Sequence, residues 1–313
     1  MKTSKTPSCA SKNGDFFKPI FSEFKFKGVH FYLLRDDLIN GEFNGNKARK
    51  LHYLINSDLS GIKRLVSHGS SQSNAMYSIS VFAKNRGLAF YYFISHMGEL
   101  LRKNAVGNLS HALKNGMSLH VLQSGEDRKA SAIEYANKFK DALFIPEGVA
   151  CELAEAGFRL QAAQIEEFCA VRWLEPAIFL PSGTGTSAAY LAKHTRLKVY
   201  TCACVGDGEY LRAQIVSLLG FLPANLCVLN PPKKYHFAKP RPELFDVWRE
   251  LLSAGVEFDL IYDPVGFLTI FSNLDKFCGD ILYIHQGGLL GNVSQKARYE
   301  RKEKFENFKH KWY

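Results

Sequence analysis

Short apolar runs rich in β-branched and aromatic residues recur along the chain, separated by longer stretches with apolar residues at helical spacing. The runs over 31–35, 64–67, 89–95, 118–122, 177–180, 198–204, 260–262 and 281–285 predict strands. The stretches over 50–56, 73–86, 100–115 and 130–140 predict helices. Strands alternating with helices imply βαβ units and parallel sheets, with ligands bound beyond the carboxyl ends of the strands. The loops to watch are therefore those after Ser67, Leu180, Tyr262 and His285. The block 54–144 is expected to form a small α/β domain, and 1–53 with 145–313 a larger one.

Composition narrows the class. With 46% hydrophobic and 22% charged residues in 313, the chain can bury a sizeable core and is not expected to be disordered. No apolar run is long enough to span a bilayer, and residues 1–12 lack the apolar core of a signal peptide, so a cytoplasmic protein is expected. The seven cysteines are scattered, without a Cys-x-x-Cys pair. They read as buried reduced thiols, not as a disulfide framework or a metal site, with Cys202 and Cys204 on one face of a strand. A net charge of +10 could serve nucleic acid, a membrane surface or anionic ligands, but no nucleic-acid motif accompanies it. Part of it lies in 296–311, expected to be a solvated helix.

Three segments carry candidate chemistry. In Gly45-Asn46-Lys47-Ala48-Arg49-Lys50, three cations in four residues open a helix, where they oppose its dipole unless an anion binds. A lysine among cations has a lowered pKa and can act as an amine nucleophile; a solvated basic turn is the alternative. In His68-Gly69-Ser70-Ser71-Gln72-Ser73-Asn74, small polar residues lead from a strand into a helix whose free N–H groups suit a carboxylate. Simple capping by Ser73 or Asn74 is the other reading. In Pro181-Ser182-Gly183-Thr184-Gly185-Thr186-Ser187, glycines and hydroxyls between strand and helix make a phosphate cradle. It lacks a P-loop lysine, and no Gly-x-Gly-x-x-Gly is present, so a single phosphate suits it better than a nucleotide.

Taken in order, these segments resemble the 1-aminocyclopropane-1-carboxylate deaminase / D-cysteine desulfhydrase family of fold-type-II pyridoxal-phosphate (PLP) enzymes, the tryptophan synthase β-like group. The likeness runs from Arg35-Asp36-Asp37 and Gly45–Leu51 through Gln72-Ser73-Asn74, Pro146-Glu147-Gly148, the Ser182–Ser187 loop and Asp263-Pro264-Val265 to His285-Gln286-Gly287-Gly288. It implies two three-layer α/β/α domains with mostly parallel sheets and PLP in the cleft between them. It further implies that Lys47 carries the cofactor and acts in catalysis with Ser73. Lys50, Thr184, Gly185, Thr186 and Ser187 would hold the phosphate, Asn74 the phenolic oxygen, and Ser73 with Gln72 the substrate carboxylate. Gln286 would stand beside the pyridine nitrogen, leaving it largely unprotonated and favouring prompt elimination.

The family's Asp-Pro-Val-Tyr tyrosine is absent here, where Gly266 and Phe267 follow Val265. A second family tyrosine falls on Phe237. The resemblance thus points to α,β-elimination from a small amino acid, giving a 2-keto acid and ammonia, in a homodimer. Cyclopropane ring opening and a PLP-binding chain without turnover are the alternatives.

Overall fold

The computed structural model describes residues 17–309. The polar N-terminal segment, Cys9 and the end of the basic tail lie outside them.

The chain enters through Phe21–Phe26 (β1), whose Phe24 and Phe26 alternate with exposed polar residues, and turns back antiparallel into Val29–Arg35 (β2). Gly45–Lys50 (α1) and the single turn His52–Ile55 (α2) follow. Then come Arg64–His68 (β3), Asn74–Arg86 (α3), Ala89–Ile94 (β4), Glu99–Lys103 (α4), Gly107–Lys114 (α5), Met117–Val121 (β5), Arg128–Asn137 (α6) and Ala142–Ile145 (β6). The long helix Glu155–Arg172 (α7) precedes Ala177–Ser182 (β7), Thr186–His194 (α8), Val199–Ala203 (β8), Gly208–Leu219 (α9) and Leu226–Leu229 (β9). Pro242–Ser253 (α10), Asp263–Phe271 (α11), Ile281–His285 (β10) and Gly291–Lys309 (α12) complete the described chain.

Two sheets result. β5-β4-β3-β6 is parallel throughout. β1-β2-β10-β7-β8-β9 is parallel apart from the β1–β2 pair. Side-chain alternation gives each sheet two buried faces. On the larger one, Leu34, Ile178, Leu180 and Ile284 pack with α7 and α8, while Phe31, Leu33, Phe179 and Tyr283 pack with α10 and α11. The second face is aromatic, with Phe267 and Tyr283 stacked at 4.5 Å. On the smaller sheet, Leu65, Phe90 and Ile94 meet α3 and α5, and Val66 and Phe93 meet α6. This is the expected pair of α/β/α sandwiches.

Strand order reverses between β3 and β6 in one sheet and between β7 and β10 in the other. Ligands bind in α/β sheets at such switch points. The loops after these four strands all open into one cleft.

Several expectations are corrected. Residues 260–262 are not a strand: the Asp259 carboxylate accepts the amides of Ile261 and Tyr262 at 2.7 and 2.8 Å, folding the apolar triplet into a turn that leads into α11. Asp263-Pro264-Val265 is the first turn of that helix. The helix expected over 50–56 divides at Leu51, and the one over 100–115 divides where Val106 becomes extended. The basic C-terminal helix starts earlier than expected, and Asn292, Gln295 and Tyr299 on it are buried, so it is only partly solvated. Cys202 and Cys204 are buried on one face, but Cys278 is exposed and Cys151 and Cys227 only half-buried, so those three are not buried thiols. No helix among the described residues is long and apolar enough to cross a membrane.

Candidate active site

The cleft has a volume of about 1220 Å³. Every side chain or loop singled out from the sequence as catalytic or cofactor-binding lines it: Lys47 and Lys50 from α1, Gln72, Ser73 and Asn74 at the start of α3, Thr184–Ser187 at the start of α8, and Gln286 after β10.

Lys47 owes its position to its neighbours on α1. Arg49 turns away from the cleft and is fully buried. Its Nε and Nη2 donate to the two oxygens of Asp36 at 3.0 and 2.6 Å, and Nη1 donates to Gln164 Oε1. The Arg-Asp-Asp motif therefore anchors the helix, and Arg49 offers no charge to a ligand. Asp37 takes a bidentate bond from Arg35. Because α1 is only six residues long, its cations lie in its last turn, where the dipole favours them, so the expected conflict with the dipole does not arise. Lys47 Nζ donates to Asn46 Oδ1 at 3.0 Å. Burial brings its pKa down to about 8, against the opposing pull of Asp259.

Lys50 is buried, and its Nζ donates to the Gly148 carbonyl at 2.7 Å. Burial first, and Lys47 second, push its pKa well below the usual lysine range. A buried ammonium beside a second cation is costly, and an anion placed between them and the α8 amides would reverse the cost. The backbone N–H groups of residues 184–187 have no acceptor among the described residues. The Thr184 and Thr186 hydroxyls lie 2.9 Å apart at the same place.

Ser73 caps α3: its Oγ accepts from the amides of Ala75 and Met76 at 3.1 and 3.3 Å. The capping reading of this residue is thus correct, and its hydroxyl also hydrogen-bonds the buried Tyr92 phenol. Gln72 Nε2 is tied to the Val106 carbonyl at 3.0 Å, and its Oε1 is buried without a partner. Asn74 Oδ1 accepts from Asn108 at 2.6 Å, which turns its Nδ2 toward Asp259. Gln286 is engaged at both ends, donating to the Pro181 carbonyl at 2.7 Å and accepting from Asn46 at 2.9 Å. His285 is fully buried below the cleft, with Nε2 bonded to the Glu257 carbonyl at 2.8 Å, so it serves the fold.

Two cleft residues escaped the sequence reading. Asp259 is 3% exposed. Its Oδ1 closes the 259–262 turn, while its Oδ2 has no hydrogen-bond partner. Burial raises its pKa to about 6, partly offset by the turn amides, Asn74 and Lys47. Tyr262 presents its ring to the cleft 5.6 Å from that of Phe237, and its hydroxyl stands over Gly183. Burial raises the phenol's pKa, so it remains protonated. Tyr262 thus brings one phenol into the cleft, four residues before Gly266 and packed against Phe237. The sequence signal was Asp259 itself, a turn former inside an apolar run.

No protein-family model matches the chain. A putative 1-aminocyclopropane-1-carboxylate deaminase of Thermotoga maritima is 23% identical over 295 residues, covering 87% of this chain and 92% of that protein. A bifunctional D-cysteine desulfhydrase/1-aminocyclopropane-1-carboxylate deaminase of Arabidopsis thaliana is 24% identical over 294 residues, covering 84% and 73%. The crystal structure of an ACC deaminase homologue superposes with a TM-score of 0.76 at 21% identity, covering 91% of this chain and 94% of that one. The chain is thus similar over most of its length to curated proteins named for deaminase and D-cysteine desulfhydrase activities. Its fold is shared with that structure, and the expected α/β/α layers with mostly parallel sheets hold.

Proposed function

We propose that the chain is a PLP-dependent lyase that eliminates a β-substituent from a small amino acid, giving a 2-keto acid and ammonia. The observation that carries this reading is one cleft holding both a lysine with a pKa near 8 and a row of unpaired amides at a helix start. A phosphate monoester bearing an aldehyde needs those two features together. PLP fits the residues present: the amides and hydroxyls of 184–187 with Lys50 for the phosphate, Lys47 for the aldehyde carbon, and the Asn74–Asp259 corner for the ring's polar edge. When bound, the cofactor supplies an electron sink for the electrons released at the substrate's α-carbon.

The protein's own groups do the rest. The start of α3, with Ser73 and the neighbouring amides, orients the substrate carboxylate. Lys47 Nζ, partly a free amine near neutral pH on the cleft side of α1, would take the α-proton. The β-substituent leaves with its bonding electrons, and hydrolysis completes the products. Gln286 presents a neutral amide, suited to prompt elimination. Names of the relatives support D-cysteine as a first substrate to try.

A second reading, 1-aminocyclopropane-1-carboxylate deaminase, draws support from Tyr262, whose phenol restores to the cleft the hydroxyl lost elsewhere.

The test is a panel of D- and L-cysteine, serine, chloroalanine and 1-aminocyclopropane-1-carboxylate, assayed for keto acid and ammonia beside Lys47→Ala. A yellow absorbance that borohydride bleaches, absent from Lys47→Ala, is expected. Release of 2-oxobutanoate from the cyclopropane alone would favour the second reading. Normal cofactor uptake with no product from any member would sink both.

A further inference from the structure

α12 turns one face into the cleft. Ser294, Ala297, Arg298 and Arg301 line it, at the spacing that stacks side chains on one side of a helix. This face therefore sets two arginines one turn apart on the wall of the cleft that also holds Lys47.

Arg298 and Arg301 are both exposed at the mouth of the cleft. Among the described residues neither has a carboxylate partner. Arg298 donates through Nη1 to Gln295 Oε1 at 3.0 Å, and Gln295 Nε2 donates to the Ala238 carbonyl at 3.0 Å. That chain of bonds ties the guanidinium to the backbone at Ala238 and, among the described residues, leaves most of its N–H groups without a partner. The other carboxylates of the cleft mouth are engaged elsewhere: Glu147 pairs with Arg128 at 2.7 Å and Glu99 with Lys103 at 2.6 Å. Two like charges at this spacing repel each other: partial desolvation in the cleft, then the neighbouring Arg301, work against the charge on Arg298. A helix that serves only as solvated surface has no need to place this pair inside a cleft.

We infer that Arg298 and Arg301 form a subsite for a second anionic group on the amino-acid substrate, a carboxylate, phosphate or sulfonate at or beyond its β-carbon. This rests on the reading above and deepens it. Phosphate and carboxylate oxygens match the planar guanidinium fork, which a neutral side chain does not. The cofactor's own phosphate is supplied with donors by the α8 start and Lys50, so it leaves this pair unused.

The experiment is isothermal titration of the PLP-loaded protein with matched pairs in both D and L forms: O-phosphoserine against serine, and aspartate against asparagine. In one hand or the other, the anionic member is expected to bind about ten-fold or more tightly than its neutral partner, with the preference shrinking as salt rises. Arg298→Ala/Arg301→Ala should abolish the preference while leaving the neutral members and the cofactor absorbance unchanged. The exposed Arg301→Ala alone, which carries little folding risk, should reduce it. Equal binding within both pairs overturns the inference, as does a preference that survives the double variant. Weakened cofactor uptake in the variants overturns it too, by assigning the arginines to the cofactor. A colourless protein before any amino acid is added marks failure of the underlying PLP reading, and the inference falls with it.

Discussion

Asn46 and Gln286 hold each other twice. The Asn46 backbone N–H donates to the Gln286 carbonyl at 3.0 Å, and Asn46 Nδ2 donates to Gln286 Oε1 at 2.9 Å. Through Gln286 Nε2 the clasp reaches the end of β7, and through Asn46 Oδ1 it reaches Lys47. The lysine is thus referenced to the carboxyl ends of the two strands that flank the switch point.

The clasp depends on close backbone approach at Gly45. It has φ +69°, and a Cβ there would stand 2.2 Å from the Gln286 carbonyl oxygen. Gly45→Ala should cost about 1–3 kcal/mol of stability and impair cofactor uptake by displacing Lys47. A urea titration and the visible absorbance of the reconstituted variant check both.

The Arg49–Asp36 pair is 0% exposed on both sides. Removing one partner strands a buried charge, so Asp36→Ala should destabilise by about 3–5 kcal/mol. Replacing both with apolar residues of similar volume, as in Asp36→Leu with Arg49→Met, should recover much of that loss in thermal melts.

Lys47 attacks an aldehyde only as the free amine. With its pKa near 8, the rate of PLP uptake by cofactor-free protein should rise with pH through a midpoint near 8, well below the usual 10.5 for lysine. Asp259 raises that value, so Asp259→Asn should move the midpoint lower. Stopped-flow absorbance against pH reads it out. An unmoved midpoint would separate the two groups.

Asp259 has the opposite linkage. Its folded pKa, about 6, lies above the ordinary 3.8. Its contribution is favourable while it is protonated and is lost as pH rises through 6. Cofactor-free Asp259→Asn should therefore be more stable than the parent above pH 6, by about 1–3 kcal/mol, with the gap closing toward pH 4. Urea midpoints at the two pH values measure this.

Tyr262→Phe removes only the hydroxyl over Gly183. If that phenol gives or takes a proton during turnover, kcat should fall about 100-fold or more with cofactor absorbance and substrate KM little changed. A fall in KM-linked binding alone would make it a packing residue.

Much of this was legible in the chain because its central strands are buried on both faces and read as unbroken apolar runs: 177–180, 198–204 and 281–285. The edge strand β1 was not, since Glu23 and Lys25 fill its exposed face and Ser22 stands in line with Phe24 and Phe26, so no unbroken apolar run forms. The helix α7 has its buried stripe diluted by Gly157 and Gln161: the first admits the backbone of α1, and the second hydrogen-bonds Asp36. At the site, motif residues were visible because they are local in sequence. Asp259 and Tyr262 were hidden because what defines them is a side chain that redirects its own backbone, and period-counting cannot see that.

The three cations of α1 meet three different surroundings within one and a half turns: Lys47 the open cleft, Arg49 a buried carboxylate, Lys50 a carbonyl at the cleft wall. Only the 100° step between successive residues sorts them. The segment therefore behaves like a reading frame. Deleting Ala48 would leave every charge in place in the sequence, yet deliver the wrong cation to each socket.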